Sequence, residues 1–523
     1  MNRRMLALAL TLLVLSGAAP EMRARADSEQ ATRTDLPPVV LLHLRHLEET
    51  YRVLDVVATR VWPGWTTYRE TPFLLEYPNG LRVLIGHPNP PASEFEPVEG
   101  VQVDRKKVAV DRRKLLPIPL EGPLGAGGGL IPYGATADGQ LVNIVRMTFR
   151  SGGKAGAPRP RATETQILMY VHELFHCFQR THFAPAGFGN LQFNAGKSYA
   201  TWSEVEGLAL QAAYAEADPG QARERLKEFV VARDLKRRSM TDEQQGEESA
   251  DDVREGTANY SMVRTLEVLR EGGFTAGISE QDDPEYGGFK VIAPLLDDHV
   301  SRLREATGRV EDPKVKCYDY GSFQALLAQR LFPGWQEAVA RGGFIDAEIR
   351  KQLPIPDAER ADIERRIRER YRADEIQARV ASVLDPRDAA WRTIAARRGL
   401  VYVIDLKATK QIADSVVPAA GGYRLGIGRL HPSGIEAVRF DDVDLSRVAV
   451  PLETAQLYYI RMVDTAPRKG TPGYAIAGQK QADGSYVDAT VTTPLFTLKA
   501  PRVRVRVSGT RIKVQVLSRV KGG

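Results

Sequence analysis

His172, Glu173 and His176 stand together in His172-Glu173-Leu174-Phe175-His176, an HExxH pattern in a chain with 8 histidines among 523 residues. On a helix, positions i and i+4 lie on one face, so both imidazoles can reach one metal ion. A glutamate beside the first histidine can approach a metal-bound water and act as general base. The chemistry this implies is zinc-dependent hydrolysis, with Glu173 as the catalytic base. The bland counterpart is two histidines on a buried helix.

A catalytic zinc needs a third protein ligand and an open position for water. His182 is the one histidine soon after His176, and it falls near the expected helix end. A carboxylate from a second helix is therefore expected. Two candidates share one local form: Glu206 in Glu206-Gly207-Leu208-Ala209, and Glu255 in Glu255-Gly256-Thr257-Ala258. Small residues after the carboxylate allow close helix packing. The one that is not a ligand should be a solvated or salt-bridged residue, with Arg233 and Arg237 as candidate partners.

Over roughly residues 160–340 the chain resembles the gluzincin metallopeptidases, the HExxH enzymes of the peptidase MA-like group, and more distantly the M1-type aminopeptidases. Their third ligand commonly sits in E-G-x-A with an aromatic five residues later. Glu255 with Tyr260 fits that form better than Glu206 with Gln211. The resemblance thus implies one zinc per chain on His172, His176 and Glu255, with Glu206 as the alternative. It also implies a peptide or protein substrate cleaved at an amide bond. Tyr318-Asp319-Tyr320-Gly321 is similar to the family's Tyr-x-x-Gly, which gives Tyr318 the part of oxyanion donor. The interval from His176 to Glu255 is longer than is usual in the family and holds two extra helices, around 202–216 and 223–240. The G-x-M-E-N element that binds a substrate amino terminus in M1 enzymes is absent, so aminopeptidase specificity is not implied. Two further readings stay open: a non-catalytic peptidase-fold binding protein of the cell envelope, and a zinc hydrolase of a non-peptide bond.

The two cysteines, Cys177 and Cys317, directly follow His176 and directly precede Tyr318. If those residues surround one metal, the cysteines come close, and an exported protein could keep them as a disulfide.

The elements that must position these residues divide the chain. Asn2-Arg3-Arg4, an apolar run from Leu6 to Leu15 and Ala24-Arg25-Ala26 predict a signal peptide over 1–26. The mature protein is then exported, periplasmic or extracellular, in a bacterium, with no later membrane segment. Residues 27–155 form an N-terminal α/β region. It has a helix over 37–60, strands at 73–77, 81–85, 101–110 and 141–149, and Gly125-Ala126-Gly127-Gly128-Gly129 as a flexible connection. A basic Gly/Pro linker over 151–160 leads to a helix of about 18 residues, amphipathic and started by Thr163-Glu164-Thr165-Gln166. Residues 156–345 are the helical zincin-like domain and 346–398 a charged helical connector. In that connector Ile363, Ile367 and Tyr371 mark the buried stripe. Residues 399–523 are an antiparallel β-sandwich of about nine strands, a candidate surface for an envelope or protein partner. The fold class is α+β.

The net charge of +6 overstates basicity, since residues 1–26 carry four Arg and one Glu and leave +3 for the rest. That excludes a strong electrostatic case for nucleic-acid binding.

Overall fold

A computed structural model of the chain describes residues 36–113, 115, 124–136, 138–151, 163–184, 196–309, 313–396, 398–406 and 473–517. Between 407 and 472 it describes the segments 423–425, 428–431, 438–440, 443–446, 452–455 and 459–464. The expected signal peptide and nearly all of the basic linker lie outside the described residues. The architecture is α+β, with a sheet near each end of the chain and a helical middle. No helix among the described residues is long and apolar enough to cross a membrane.

Two compact units are formed, and both draw on the expected 156–345 domain. The first takes residues up to 186, 254–300 and 334–343. It opens with α1 (Pro38–Val61), whose proline sits where a helix leaves an N–H unpaired in any case. Val40, Leu44, Leu47, Tyr51, Leu54 and Val57 bury one face of it. Strands β1 (Phe73–Glu76), β2 (Arg82–Ile85), β3 (Glu96–Val103), β4 (Lys106–Asp111), β5 (Leu124–Ala135) and β6 (Leu141–Ser151) form a sheet in the order β3-β4-β2-β1-β6-β5. All neighbours are antiparallel except β1 and β6. On β6, Val145, Met147 and Phe149 are buried, while Arg146 and Arg150 are exposed.

Two expectations fail here. The single strand read over 101–110 is a hairpin, because Asp104 and Arg105 both take positive φ (47° and 65°) between β3 and β4. That is a tight two-residue turn made without the Asn-Gly or Asp-Gly that usually announces one. The glycine-rich 125–129 stretch is no loop but the body of β5, paired from Gly125 with Arg150 to Gly129 with Arg146. Hydrogen bonding to β6 overrides the poor strand propensity of glycine.

The HExxH helix is α2 (Thr163–His182). Its opening polar residues reach outward: Thr163 Oγ1 donates to Asp283 Oδ2 at 2.7 Å, and Glu164 Oε1 accepts from the Gly287 N–H at 2.8 Å. Beyond a π-helical turn over Asp252–Gly256 runs α6 (Thr257–Arg270), which packs on α2. Trp335 opens α9 (Trp335–Ala340) and is a packing anchor. Its ring lies edge-on to Trp62 and Tyr260, with centroids 5.3 and 5.4 Å away.

The second unit takes residues 187–253, 301–333 and 344–523. Helices α3 (Lys197–Ala215) and α4 (Pro219–Arg237) follow α2 near the two stretches expected to be helical, around 202–216 and 223–240. Helix α5 (Asp242–Asp251) starts with a complete capping box between Thr241 and Gln244. Helix α7 (Ala293–Gly308) spans the boundary between the units, and α8 (Pro313–Leu331), α10 (Ile345–Gln352), α11 (Asp357–Arg370) and α12 (Ala373–Ala396) follow. Ile363 and Ile367, with Tyr371 against them, pack into a core with Trp202, Val205, Leu235 and Leu384.

The C-terminal sheet joins β7 (Leu400–Asp405), β8 (Tyr423–Leu425), β9 (Gly428–His431), β10 (Val438–Phe440), β11 (Val443–Leu445), β12 (Leu452–Ala455), β13 (Tyr459–Asp464), β14 (Ala475–Lys480), β15 (Tyr486–Thr492), β16 (Thr497–Ser508) and β17 (Arg511–Val516). Long β16 pairs with β11, β15 and β17, which lets the sheet wrap around Tyr402, Ile404, Met462, Val491, Leu498 and Val514. Its pairing is not wholly antiparallel, since β17 runs parallel to β7. The Arg-Val alternation from Arg502 sets Val503 into the core and leaves Arg506 exposed.

Candidate metal centre

His176 lies four positions after His172, and α2 brings their Nε2 atoms to 3.0 Å. The third member comes from the π-helical turn. A π turn re-aims side chains relative to a regular helix, and here it carries Glu255. The carboxylate Oε2 lies 3.3 Å from His176 Nε2 and 3.8 Å from His172 Nε2. Among the described residues, this is the one group of three or more His, Cys, Asp or Glu whose ligand atoms converge in this way.

The donor set fits a zinc ion. Tetrahedral zinc with nitrogen and oxygen ligands at about 2.0–2.2 Å separates those ligands by roughly 3.3–3.6 Å. The observed 3.0, 3.3 and 3.8 Å bracket that spacing. Two imidazoles and one carboxylate also make a three-protein-ligand set that leaves a coordination position open. The other oxygen of Glu255, Oε1, meets Arg254 Nη2 at 3.2 Å.

Electrostatics within the cluster follow from its composition. Burial alone would lower the His176 pKa, but the Glu255 carboxylate overrides this and holds it above its ordinary value. Burial would likewise raise Glu255, yet its hydrogen bonds to His172 and His176 hold it far below the usual carboxylate range.

Glu173 is 4 % exposed, and among the described residues its Oε2 has no hydrogen-bond partner. A buried carboxylate oxygen without a donor is costly, and such groups collect where a ligand or reacting atom belongs. The backbone of β5 crosses directly over it. A β-carbon at Gly128 would meet Glu173 Cγ and Cδ at 2.5 Å and Oε1 closer still. Gly127 and Gly129 face open space instead.

The other candidates are placed as follows. Glu206, on α3 of the second unit, is wholly buried and accepts from Arg233 Nη1 at 2.8 Å and from Lys236 Nζ. Of the two candidate carboxylates, Glu206 is thus the one held in buried salt bridges to Arg233 and Lys236. Arg233 is one of the two partners expected for it; Arg237 pairs with Asp346 and Glu248. The small residue after Glu206 makes room for an aromatic: a β-carbon at Gly207 would strike the Tyr320 hydroxyl. Tyr318 is half-buried on α8 of the second unit. Its neighbour Tyr320 is buried and donates its hydroxyl hydrogen to the Ser203 carbonyl at 2.7 Å. His182 closes α2 as an exposed residue stacked on Phe178.

No disulfide joins Cys177 and Cys317; both are thiols. Cys177 lies in the first unit, where its thiol meets Thr71, and burial pushes its pKa up to about 12. Cys317 lies in the second unit, packed with Tyr199 and Met240. Adjacency in sequence to His176 and Tyr318 is thus not matched by a bridge.

The HExxH pattern does not itself include Gln179, which lies three residues beyond His176, so α2 places the two side chains on one face. Its amide oxygen accepts from His176 Nδ1 at 2.7 Å. The i+3 spacing on a helix already carrying HExxH was the available signal. No model of a known protein family, no curated protein and no solved structure matches the chain.

Proposed function

We propose that the protein is an exported, zinc-dependent hydrolase of peptide bonds, a metallopeptidase of gluzincin type. The observation that carries the reading is the convergence of His172, His176 and Glu255 beside a buried Glu173 carboxylate. Zinc bound to those three residues would polarise the scissile carbonyl and bring a water's pKa toward neutrality. Glu173 then has one task at two moments. It takes the proton from the attacking water and passes it to the leaving amine. Its orphaned oxygen suits that task, since no other hydrogen bond need be broken first.

A peptide substrate is favoured by β5. Among the described residues that strand ends its sheet, next to Glu173, and its glycines let another backbone approach closely. An extended peptide can add to such an edge through main-chain hydrogen bonds. The part of oxyanion donor assigned to Tyr318 rests on its sequence motif, and export rests on residues 1–26.

The test is zinc analysis of the purified protein together with hydrolysis of a mixed peptide library, for wild type and Glu173→Gln. Wild type should hold about one zinc per chain and cleave peptides. Glu173→Gln should hold the same zinc and lose about 10²–10⁴-fold in turnover. Absence of zinc from His172, His176 and Glu255, or full turnover in the variant, would overturn the reading. Tyr318→Phe separately tests the oxyanion donor, with an expected kcat loss on the order of 10²-fold and zinc retained.

A further inference from the structure

We infer that Gln179 is a positioning residue that sets the tautomer of His176, and that Arg254 and Thr257 lock its amide in the one orientation that does so. The inference rests on the zinc reading for its consequence, but not for its geometry. Gln179 is 8 % exposed. Its Nε2 donates to the Arg254 backbone carbonyl at 2.8 Å and to Thr257 Oγ1 at 2.6 Å. A carbonyl oxygen can only accept, so the amide atom facing Arg254 must be nitrogen. The atom facing His176 Nδ1 must then be the amide oxygen, and Nδ1 must carry the hydrogen. In neutral His176 that leaves Nε2 with its lone pair, turned toward His172 Nε2 and Glu255 Oε2. With the amide reversed, its NH₂ would face Nδ1, favour the other tautomer and place a hydrogen where a metal bond belongs.

The anchors lie where the third ligand is built. Arg254 precedes Glu255 in the π-helical turn, and Thr257 is the first residue of α6. One amide therefore ties the second histidine on α2 to the backbone that presents Glu255. Partners that orient a ligating imidazole commonly matter on the order of 10–100-fold in metal affinity.

The experiment compares full-length wild type with Gln179→Leu, Gln179→Glu and Thr257→Val. Zinc affinity is read by chelator competition, and tautomers by selective [15N]histidine spectra of the metal-free proteins at a pH above the raised His176 value, where the ring is neutral. Wild type should show His176 protonated at Nδ1. Gln179→Leu should mix the tautomers and bind zinc on the order of 10–100-fold more weakly. Gln179→Glu keeps an acceptor for Nδ1–H and should recover most of that affinity. Its melting temperature should fall, because oxygen then faces the Arg254 carbonyl. Thr257→Val, with one anchor removed, should fall between wild type and Gln179→Leu. An unchanged tautomer in Gln179→Leu overturns the inference, and if that variant does not fold, an unchanged tautomer in Thr257→Val does so. If wild type binds no zinc, the proposed function fails while the tautomer spectra still decide the role of Gln179.

Discussion

Gly128 and Glu173 are in contact across the first unit: the strand backbone at one lies against the carboxylate of the other, with no room for a β-carbon between them. The relationship makes a glycine a condition for Glu173, the proposed general base, to hold its position. Gly128→Ala should leave zinc bound while lowering kcat by about 10–100-fold, since small misplacements of a catalytic group are costly. Gly127→Ala and Gly129→Ala face open space and should keep kcat within about threefold, because neither displaces Glu173. Steady-state kinetics with parallel zinc analysis checks all three. Equal losses across the series would show that strand flexibility, not contact with Glu173, is what the glycines provide.

Glu255→Ala and Glu206→Ala should fail in different ways. Glu255→Ala, like His172→Ala and His176→Ala, should lose zinc affinity with the fold retained. Glu206→Ala should keep its zinc but melt at lower temperature, since it strips a buried carboxylate from Arg233 and Lys236. Leaving buried charge uncompensated costs about 3–5 kcal/mol. Chelator competition and thermal melting on the same samples separate the outcomes, and the reverse ranking of zinc affinities would move the ligand to Glu206.

Metal binding should strengthen with pH. Zinc needs a neutral imidazole, and the His176 pKa is raised above 6.5. Below the raised value the affinity should fall on the order of tenfold per pH unit for each proton displaced. Chelator competition at about pH 6 and about pH 8 measures this.

Without metal the linkage has two flanks. The contribution of His176 is fully present below 6.5 and is lost as pH rises through its raised folded value. The contribution of Glu255 is present above 4.5 and is lost as pH falls through its depressed folded value. Melting of chelator-treated protein should therefore be highest between these limits, and His176→Ala should flatten both flanks. A melting curve that keeps both flanks in His176→Ala would assign them to other groups.

Denatured, unreduced protein should take up an alkylating reagent at both Cys177 and Cys317. Native protein should resist at Cys177, because a thiol held near 12 contains little thiolate at neutral pH. Mass spectrometry before and after unfolding checks both points; a mass two hydrogens lower and no uptake would establish a bridge instead.

Local pattern determined part of this protein outright. The four-residue spacing of His172 and His176 converges on one face wherever those residues are helical, and the apolar stripe through Ile167, Val171, Leu174 and Phe178 makes them so. The same holds for α1 and for the buried stripe of Ile363 and Ile367, because helical periodicity is a short-range property. Choice between Glu206 and Glu255 was different. Both stand in Glu-Gly-x-Ala, and only the tertiary structure surrounded one with Arg233 and Lys236 and set the other beside two histidines. Glycines 125–129 became a strand because β6 supplies their hydrogen bonds, a partner distant from the local reading. The cysteines are free thiols although each adjoins a residue of the expected site, because a neighbour in sequence does not decide what a side chain packs against. Gln179 joins these cases. Its place on α2 was legible, but its role depends on a carbonyl at Arg254 and a hydroxyl at Thr257, which meet it only once α6 packs on α2.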